Sequence, residues 1–455
     1  MRPLTLPGVR AAFELGRLQP HDLVAELRRR ADAVADRNVW IHRLSDTELA
    51  PYIDRLANLD IGRAPLWGMP FAIKDNIDLE GVPTTAGCPG FAYLPPRSAA
   101  VVQRLVDAGA IPLGKTNMDQ FATGLVGTRT PYGATRNAVD PSYIAGGSSS
   151  GSAVAVKLGL AAFALGTDTA GSGRIPAAFN DLVGFKPSRG WWSARGVVPA
   201  CRTLDCVSVF TNTVADARSV ACIAGGFDPA DPYSRHIDFH AYDQPGVRYG
   251  FFDPAVLPGM DDAYRARYDD FVDRLPGSPT VVEPTPFLEA GTLLYQGPWL
   301  AERHAALAGF IEQNPDAVHP VTRTVIEGGG GFSAADAFRA QYRLAELKRR
   351  AEQVFDRIDV LVMPTAPTVF TVAEVESEPF ETNTRLGTFT NSVNLLDLCA
   401  VAIPAGRITT GLPFGVTLTS EAGADHALLD AAAELFGEPM ESTPGFTVAI
   451  AEGGV

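Results

Sequence analysis

Two loops made almost entirely of glycine and small hydroxyl residues restrict this chain more than any other feature. The first runs Gly146-Gly147-Ser148-Ser149-Ser150-Gly151-Ser152 and the second Gly166-Thr167-Asp168-Thr169-Ala170-Gly171-Ser172-Gly173-Arg174. One apolar Ala/Val/Leu segment, long enough for a helix and a strand, joins them. Glycine lets a backbone turn tightly and bring its N–H groups up to a bound group, and serine supplies a nucleophile or a proton relay. Alone, a Gly/Ser loop is most often a turn or linker. A glycine-rich loop ahead of a helix can also cradle phosphate, but neither loop has the GxxxxGK[ST] spacing.

Apolar runs and helical lengths alternate around these loops. Residues 66–73 (LWGMPFAI) read as a buried strand that delivers Lys74 at its C-terminal end, where α/β folds gather their binding groups. A helix over 99–109 closed by Gly109, a strand over 110–114, a helix near 152–160, a strand near 161–166 and helices near 174–180 and 212–225 follow. Strands separated by helices imply an α/β layer structure with parallel pairing. Residues 7–36 and 45–60 predict N-terminal helices, the second capped by Asp46, and Gly328-Gly329-Gly330-Gly331 predicts a flexible joint before a helix over 334–358. The expected organisation is a helical arm over 1–60 packed on the core, a catalytic domain over 61–440, and a tail, or the start of a further domain, over 441–455.

Bulk properties exclude several classes. The 455 residues carry a formal charge of −14, which argues against nucleic acid and anionic membranes as partners. The five cysteines are sparse, lack a CxxC pair and read as small buried hydrophobes in a reducing compartment. The seven histidines are scattered; His236 and His240 are spaced as on one helix face but lack the HExxH glutamate, so no metal is expected. The N-terminus shows no signal peptide, and Lys157 and Gly159 interrupt the Ala-rich stretch before it approaches a membrane span. A soluble, cytoplasmic enzyme without metal or cofactor is the expectation.

No histidine lies in or beside either serine loop, so a Ser-His-Asp triad has no base, and Ala170 at the residue two before Ser172 breaks the G-x-S-x-G elbow. A lysine can replace the histidine if it is neutral when it accepts the proton. Burial disfavours an ammonium, so Lys74 at the end of an apolar strand is the right kind of candidate, with a second serine relaying the proton.

The ordered motifs GMPFAIKDNID, GKTNMDQF, GGSSSGS, GTDTAGSGRIPAAF and VGFKPSRG resemble the amidase signature family over most of the chain. The resemblance implies an α/β fold with a large mixed, mostly parallel β-sheet sandwiched between α-helices. It implies a triad of Lys74, Ser148 (after a cis peptide) and the nucleophile Ser172, with the serines 24 residues apart as in the family. The backbone N–H groups of Thr169, Ala170, Gly171 and Ser172 would form the oxyanion hole. Lys115 reads as structural, and Asp168 and Arg174 as braces of the second loop. The stretches RGVVPACRTLDCVSVF, LLYQGPWLAERHAAL and TNSVNLLDLCAVAIPAG further resemble the branch that hydrolyses allophanate, a urea bearing a carboxylate. In that branch a tyrosine and an arginine eight residues on grip the carboxylate; here they fall on Tyr295 and Arg303, with Gly124 in a further pocket wall. Members of the branch carry an additional C-terminal domain, and related proteins often pair through N-terminal helices, so a homodimer through those helices is implied. Biuret- or malonamate-type amidases and partner-dependent amidotransferase subunits are the rival readings.

Overall fold

The computed structural model describes residues 4–244 and 246–438. The expected tail over 441–455 lies outside the described residues. Strands β1 (Trp40–Arg43), β2 (Pro70–Lys74), β3 (Ile111–Thr116), β4 (Phe163–Asp168), β5 (Val183–Lys186), β6 (Cys206–Thr211), β7 (Tyr249–Phe252), β8 (Thr280–Val282), β9 (Val360–Pro364), β10 (Leu398–Arg407) and β11 (Pro413–Glu421) form one sheet. Its 11 strands run in the order β1-β3-β2-β4-β6-β5-β10-β11-β9-β7-β8.

The α/β sheet is large and mixed, as expected, but it is not mostly parallel. Only β2–β3, β2–β4, β7–β8 and β7–β9 pair in parallel; the other six neighbouring pairs are antiparallel. The helix–strand alternation that suggested parallel pairing belongs to the block β3-β2-β4. The centre is built differently: β10 and β11 are joined by a turn too short for a crossover, which permits only antiparallel neighbours.

Every residue of β2 through β6 and of β9 is buried. This is why those strands read as continuous apolar runs rather than as alternating ones: both sheet faces are covered. The helices Ala100–Asp107, Val214–Ala224 and Asp425–Phe436 form one contacting group, and Ser150–Lys157 and Ile175–Phe179 another. Phe71 and Phe163, register partners on β2 and β4, stack with ring centroids 5.2 Å apart and planes at 8°. Their contact holds β2 and β4 side by side, so Lys74 and Asp168 emerge at neighbouring strand ends.

The N-terminal region comprises helices Leu6–Glu14, Pro20–Ala33 and Asp46–Arg55. The cap of the third is Ser45 rather than Asp46: the Ser45 hydroxyl accepts from the Glu48 N–H while Glu48 accepts from the Ser45 N–H. The region is more than an arm, because β1 extends the sheet beyond β3 and Leu23 and Leu27 belong to the main core. The four glycines do not form a loose joint. Helix Pro320–Gly328 passes directly into a tight turn over Gly329–Gly331, and a Cβ on Gly329 would sit 2.1 Å from the Leu300 carbonyl oxygen. Four cysteines are buried as expected; Cys222 is exposed. Among the described residues no helix is long and apolar enough to cross a membrane.

Candidate active site

Lys74 ends β2 with its side chain fully buried. Its Nζ donates to Ser148 Oγ at 2.8 Å and to Thr167 Oγ1 at 2.7 Å. Burial pushes the Lys74 pKa down to about 7, against the opposing pull of the Asp119, Asp205 and Asp168 carboxylates. A substantial fraction of the amine is therefore neutral near neutral pH, the state a proton acceptor needs. Ser148 follows a cis Gly147–Ser148 peptide and precedes helix Ser150–Lys157. A Cβ on Gly147 would lie 2.1 Å from Asp119 Oδ2, so only glycine fits against that carboxylate. Asp119 in turn accepts from the N–H groups of Val126, Gly127 and Arg129, which shapes the loop beside Ser148.

Ser172 lies on the turn after β4, 2% exposed, and its hydroxyl makes no hydrogen bond among the described residues. The turn is clamped from within. Asp168 accepts from Arg174 Nε at 2.9 Å and Nη2 at 3.0 Å, and both side chains are wholly buried. Burial alone would raise the Asp168 pKa; Arg174 and the loop N–H groups outweigh it and hold the carboxyl below its ordinary value. Asp168 also accepts from the N–H groups of Gly171 at 2.8 Å and Gly173 at 3.1 Å. This revises the expected oxyanion hole. The Gly171 N–H is already committed to Asp168, whereas those of Thr169, Ala170 and Ser172 donate to no protein acceptor among the described residues. Gly171 instead supplies shape: its φ is +125°, and a Cβ there would lie 2.3 Å from Thr390 Oγ1. Lys115 is structural as expected, paired with Asp75 at 3.1 Å with both side chains fully buried.

Tyr295 and Arg303, the residues expected to grip a carboxylate, stand on two helices, Thr285–Gln296 and Trp299–Gln313, separated at Gly297-Pro298. Tyr295 packs against a buried apolar cluster that includes Ala170, two residues before Ser172. Arg303, 1% exposed, sits over the Tyr295 ring with its guanidinium carbon 5.3 Å from the centroid. Its Nη1 donates to Thr123 Oγ1 at 3.0 Å, next to Gly124, while buried Nε and Nη2 have no acceptor among the described residues. A desolvated guanidinium with unpaired N–H groups is costly unless an anion completes it. A second buried arginine, Arg129, donates to the Thr123 carbonyl and to the Pro379 carbonyl, both at 2.9 Å. Nothing in the local sequence singles out Arg129, and Thr167, though it stands in the second serine loop, carries no mark there of its bond to Lys74. Among the described residues no group of three His, Cys, Asp or Glu side chains is placed to hold a metal ion.

The arrangement places a buried lysine on a serine, a second serine on a turn whose N–H groups of Thr169, Ala170 and Ser172 have no protein acceptor among the described residues, and a buried arginine packed over Tyr295. The amidase family profile matches residues 22–429. The chain belongs to the amidase family. Among relatives of this amidase, urea amidolyase of Saccharomyces cerevisiae is 42% identical over 407 residues, covering 88% of this chain and 22% of that protein. The amidase chain thus spans about a fifth of the length of that relative. A glutamyl-tRNA(Gln) amidotransferase subunit of Acidobacterium capsulatum is 32% identical, covering 81% of this chain and 84% of that one. Among solved structures, an allophanate hydrolase of Kluyveromyces lactis superposes with a TM-score of 0.89 at 39% identity, covering 95% of this chain and 72% of that one.

Proposed function

We propose that this amidase-family C–N hydrolase removes ammonia from allophanate through an acyl-enzyme. The observation that carries the choice of substrate is Arg303, buried over the Tyr295 ring with Nε and Nη2 unpaired among the described residues. A planar guanidinium fork matches a carboxylate, and allophanate presents one beside its amide. The relatives that act on urea and allophanate support the same choice.

In this reading Ser172 Oγ attacks the amide carbonyl while its proton passes through Ser148 to neutral Lys74. The N–H groups of Thr169, Ala170 and Ser172 receive the oxyanion; losing one such donor costs about 3 kcal/mol of transition-state stabilisation. As the tetrahedral intermediate collapses, the proton returns through Ser148 to the leaving nitrogen, and ammonia departs. Water, deprotonated along the same path, then attacks the acyl carbonyl, releasing N-carboxycarbamate and regenerating the Ser172 hydroxyl. The hydrogen bond from Lys74 to Ser148 supports this relay.

The test is ammonia release by the purified chain from allophanate, biuret, malonamate, glutamine and a neutral aliphatic amide. Allophanate is expected to be turned over fastest. A carboxylate-free amide turned over equally well would remove the clamp from the argument. The similarity to the amidotransferase protein favours one second reading, a glutaminase that needs a partner; glutamine turnover appearing only with added partner would establish it.

A further inference from the structure

Asp205 lies in the turn that precedes β6, far from either serine loop in sequence. Its carboxylate accepts the hydroxyl of Thr169 and the backbone N–H groups of Ala200 at 2.8 Å and Cys201 at 3.1 Å. It is 9% exposed and forms no ion pair among the described residues. Burial raises its pKa, and the Thr169 hydroxyl, the Cys201 N–H and the charge of Arg303 oppose that rise. Its open edge lines a cavity of about 280 Å³ whose walls include Asp78, Arg195, Arg202 and Tyr233. Solvent from that side, the three donors and the nearby charge of Arg303 partly offset the cost of burying this carboxylate.

Two links tie Asp205 to the centre. Thr167 lies in the last two residues of β4 and Thr169 is the first residue beyond it. Thr167 accepts from Lys74 and Thr169 donates to Asp205, which places lysine and carboxylate at two ends of one short run of chain. Of the three carboxylates facing Lys74, Asp168 is matched at contact distance by Arg174, and Asp119 is enclosed by loop N–H groups close to buried Arg129.

We propose that Asp205 is a positioning residue of this centre. It fixes Thr169, and with it the first free N–H of the nucleophile turn, and it presents a negative charge to the ammonium that forms on Lys74. The proposal rests on Lys74 acting as the base for Ser172. When Lys74 takes the serine proton, a buried positive charge appears where none stood. A carboxylate already in place lowers the energy of that charge without any reorganisation. Removing it also makes protonated Lys74 less stable, so the amine becomes neutral at lower pH.

The experiment follows labelling of Ser172 by phenylmethanesulfonyl fluoride, read by mass across pH, in the full chain and in Asp205→Asn, Thr169→Val and Thr169→Ser. This readout needs no substrate. The parent chain should label with an acid limb near pH 7, where Lys74 deprotonates. Asp205→Asn should shift the limb down by about half a pH unit or more. Thr169→Val carries no charge change and should leave the limb in place while slowing the plateau rate about tenfold. Thr169→Ser should restore the rate. A folded Asp205→Asn chain with the parent limb, or Thr169→Val labelling at the parent rate, would overturn the proposal. Ammonia release is measured separately: shifted limbs with no amide turned over would retire allophanate and leave the role of Asp205 standing.

Discussion

Lys74 shows how a single side chain changes character by being buried. Its pKa, held near 7, gives the pH dependence of the proposed reaction a definite sign. Below that pH the amine takes a proton from solvent and can no longer accept one from Ser148, so kcat/KM should fall about tenfold per pH unit on the acid side. Steady-state rates from pH 5 to 9 check this, and a flat profile through pH 7 would remove Lys74 as the base. Ser172→Ala should abolish turnover with the fold intact by circular dichroism. At the other end of the site, Arg303→Met replaces a charged fork by an apolar side chain of similar length. KM for allophanate should rise about 100-fold with kcat changed much less, since a remote binding contact is lost. An unchanged KM would detach Arg303 from the substrate. Lys74, Ser148, Ser172, Tyr295 and Arg303 were all legible as candidates, because reactive residue types stood at family spacings. Arg129, Asp205 and the bond of Thr167 to Lys74 were not, because a threonine, an arginine or an aspartate carries no mark of its partner until packing supplies one.

At the scale of elements, the turn that carries Ser172 tolerates little change. Gly171 combines φ of +125° with a Thr390 side chain against its α-carbon. Gly171→Ala should therefore displace the Ser172 turn and lower kcat at least about 100-fold, with a smaller loss of melting temperature. A variant with parental kcat would mean that the turn adapts. The stacked Phe71–Phe163 pair has the opposite profile. Phe163→Ala leaves a cavity between β2 and β4 and should cost about 3–5 kcal/mol by urea unfolding. Strand positions were readable from apolar runs because β2, β3, β4 and β9 are covered on both faces. The break at Gly297-Pro298 divides the stretch between Tyr295 and Arg303, so that the two stand on separate helices. Ser45, not Asp46, caps its helix because Glu48 sits three residues beyond it and can return the bond.

Across the whole molecule, the N-terminal region completes the sheet as well as covering it. β1 pairs with β3, whose other side supports β2 and Lys74. Removing residues 1–43 exposes the edge of β3 and strips Leu23 and Leu27 from the core. The truncated chain should aggregate rather than remain soluble and active; soluble, active protein would show that β1 is dispensable. Leu15, 62% exposed on the same region, offers a milder probe of the implied dimer: Leu15→Glu should lower the mass seen by light scattering if those helices pair, without unfolding the sheet. The sequence by itself determined the chemistry on offer, since two serine loops, a lysine behind an apolar strand and no usable histidine admit few reaction types. It also determined the existence of most strands, since burial on both faces leaves a local apolar run. Strand direction, the engagement of the Gly171 N–H with Asp168, the unpaired fork of Arg303 and the reach of Asp205 to Thr169 were decided only in three dimensions. Each depends on which distant segments meet, and contacts between distant segments leave no periodic trace in either of the stretches that make them.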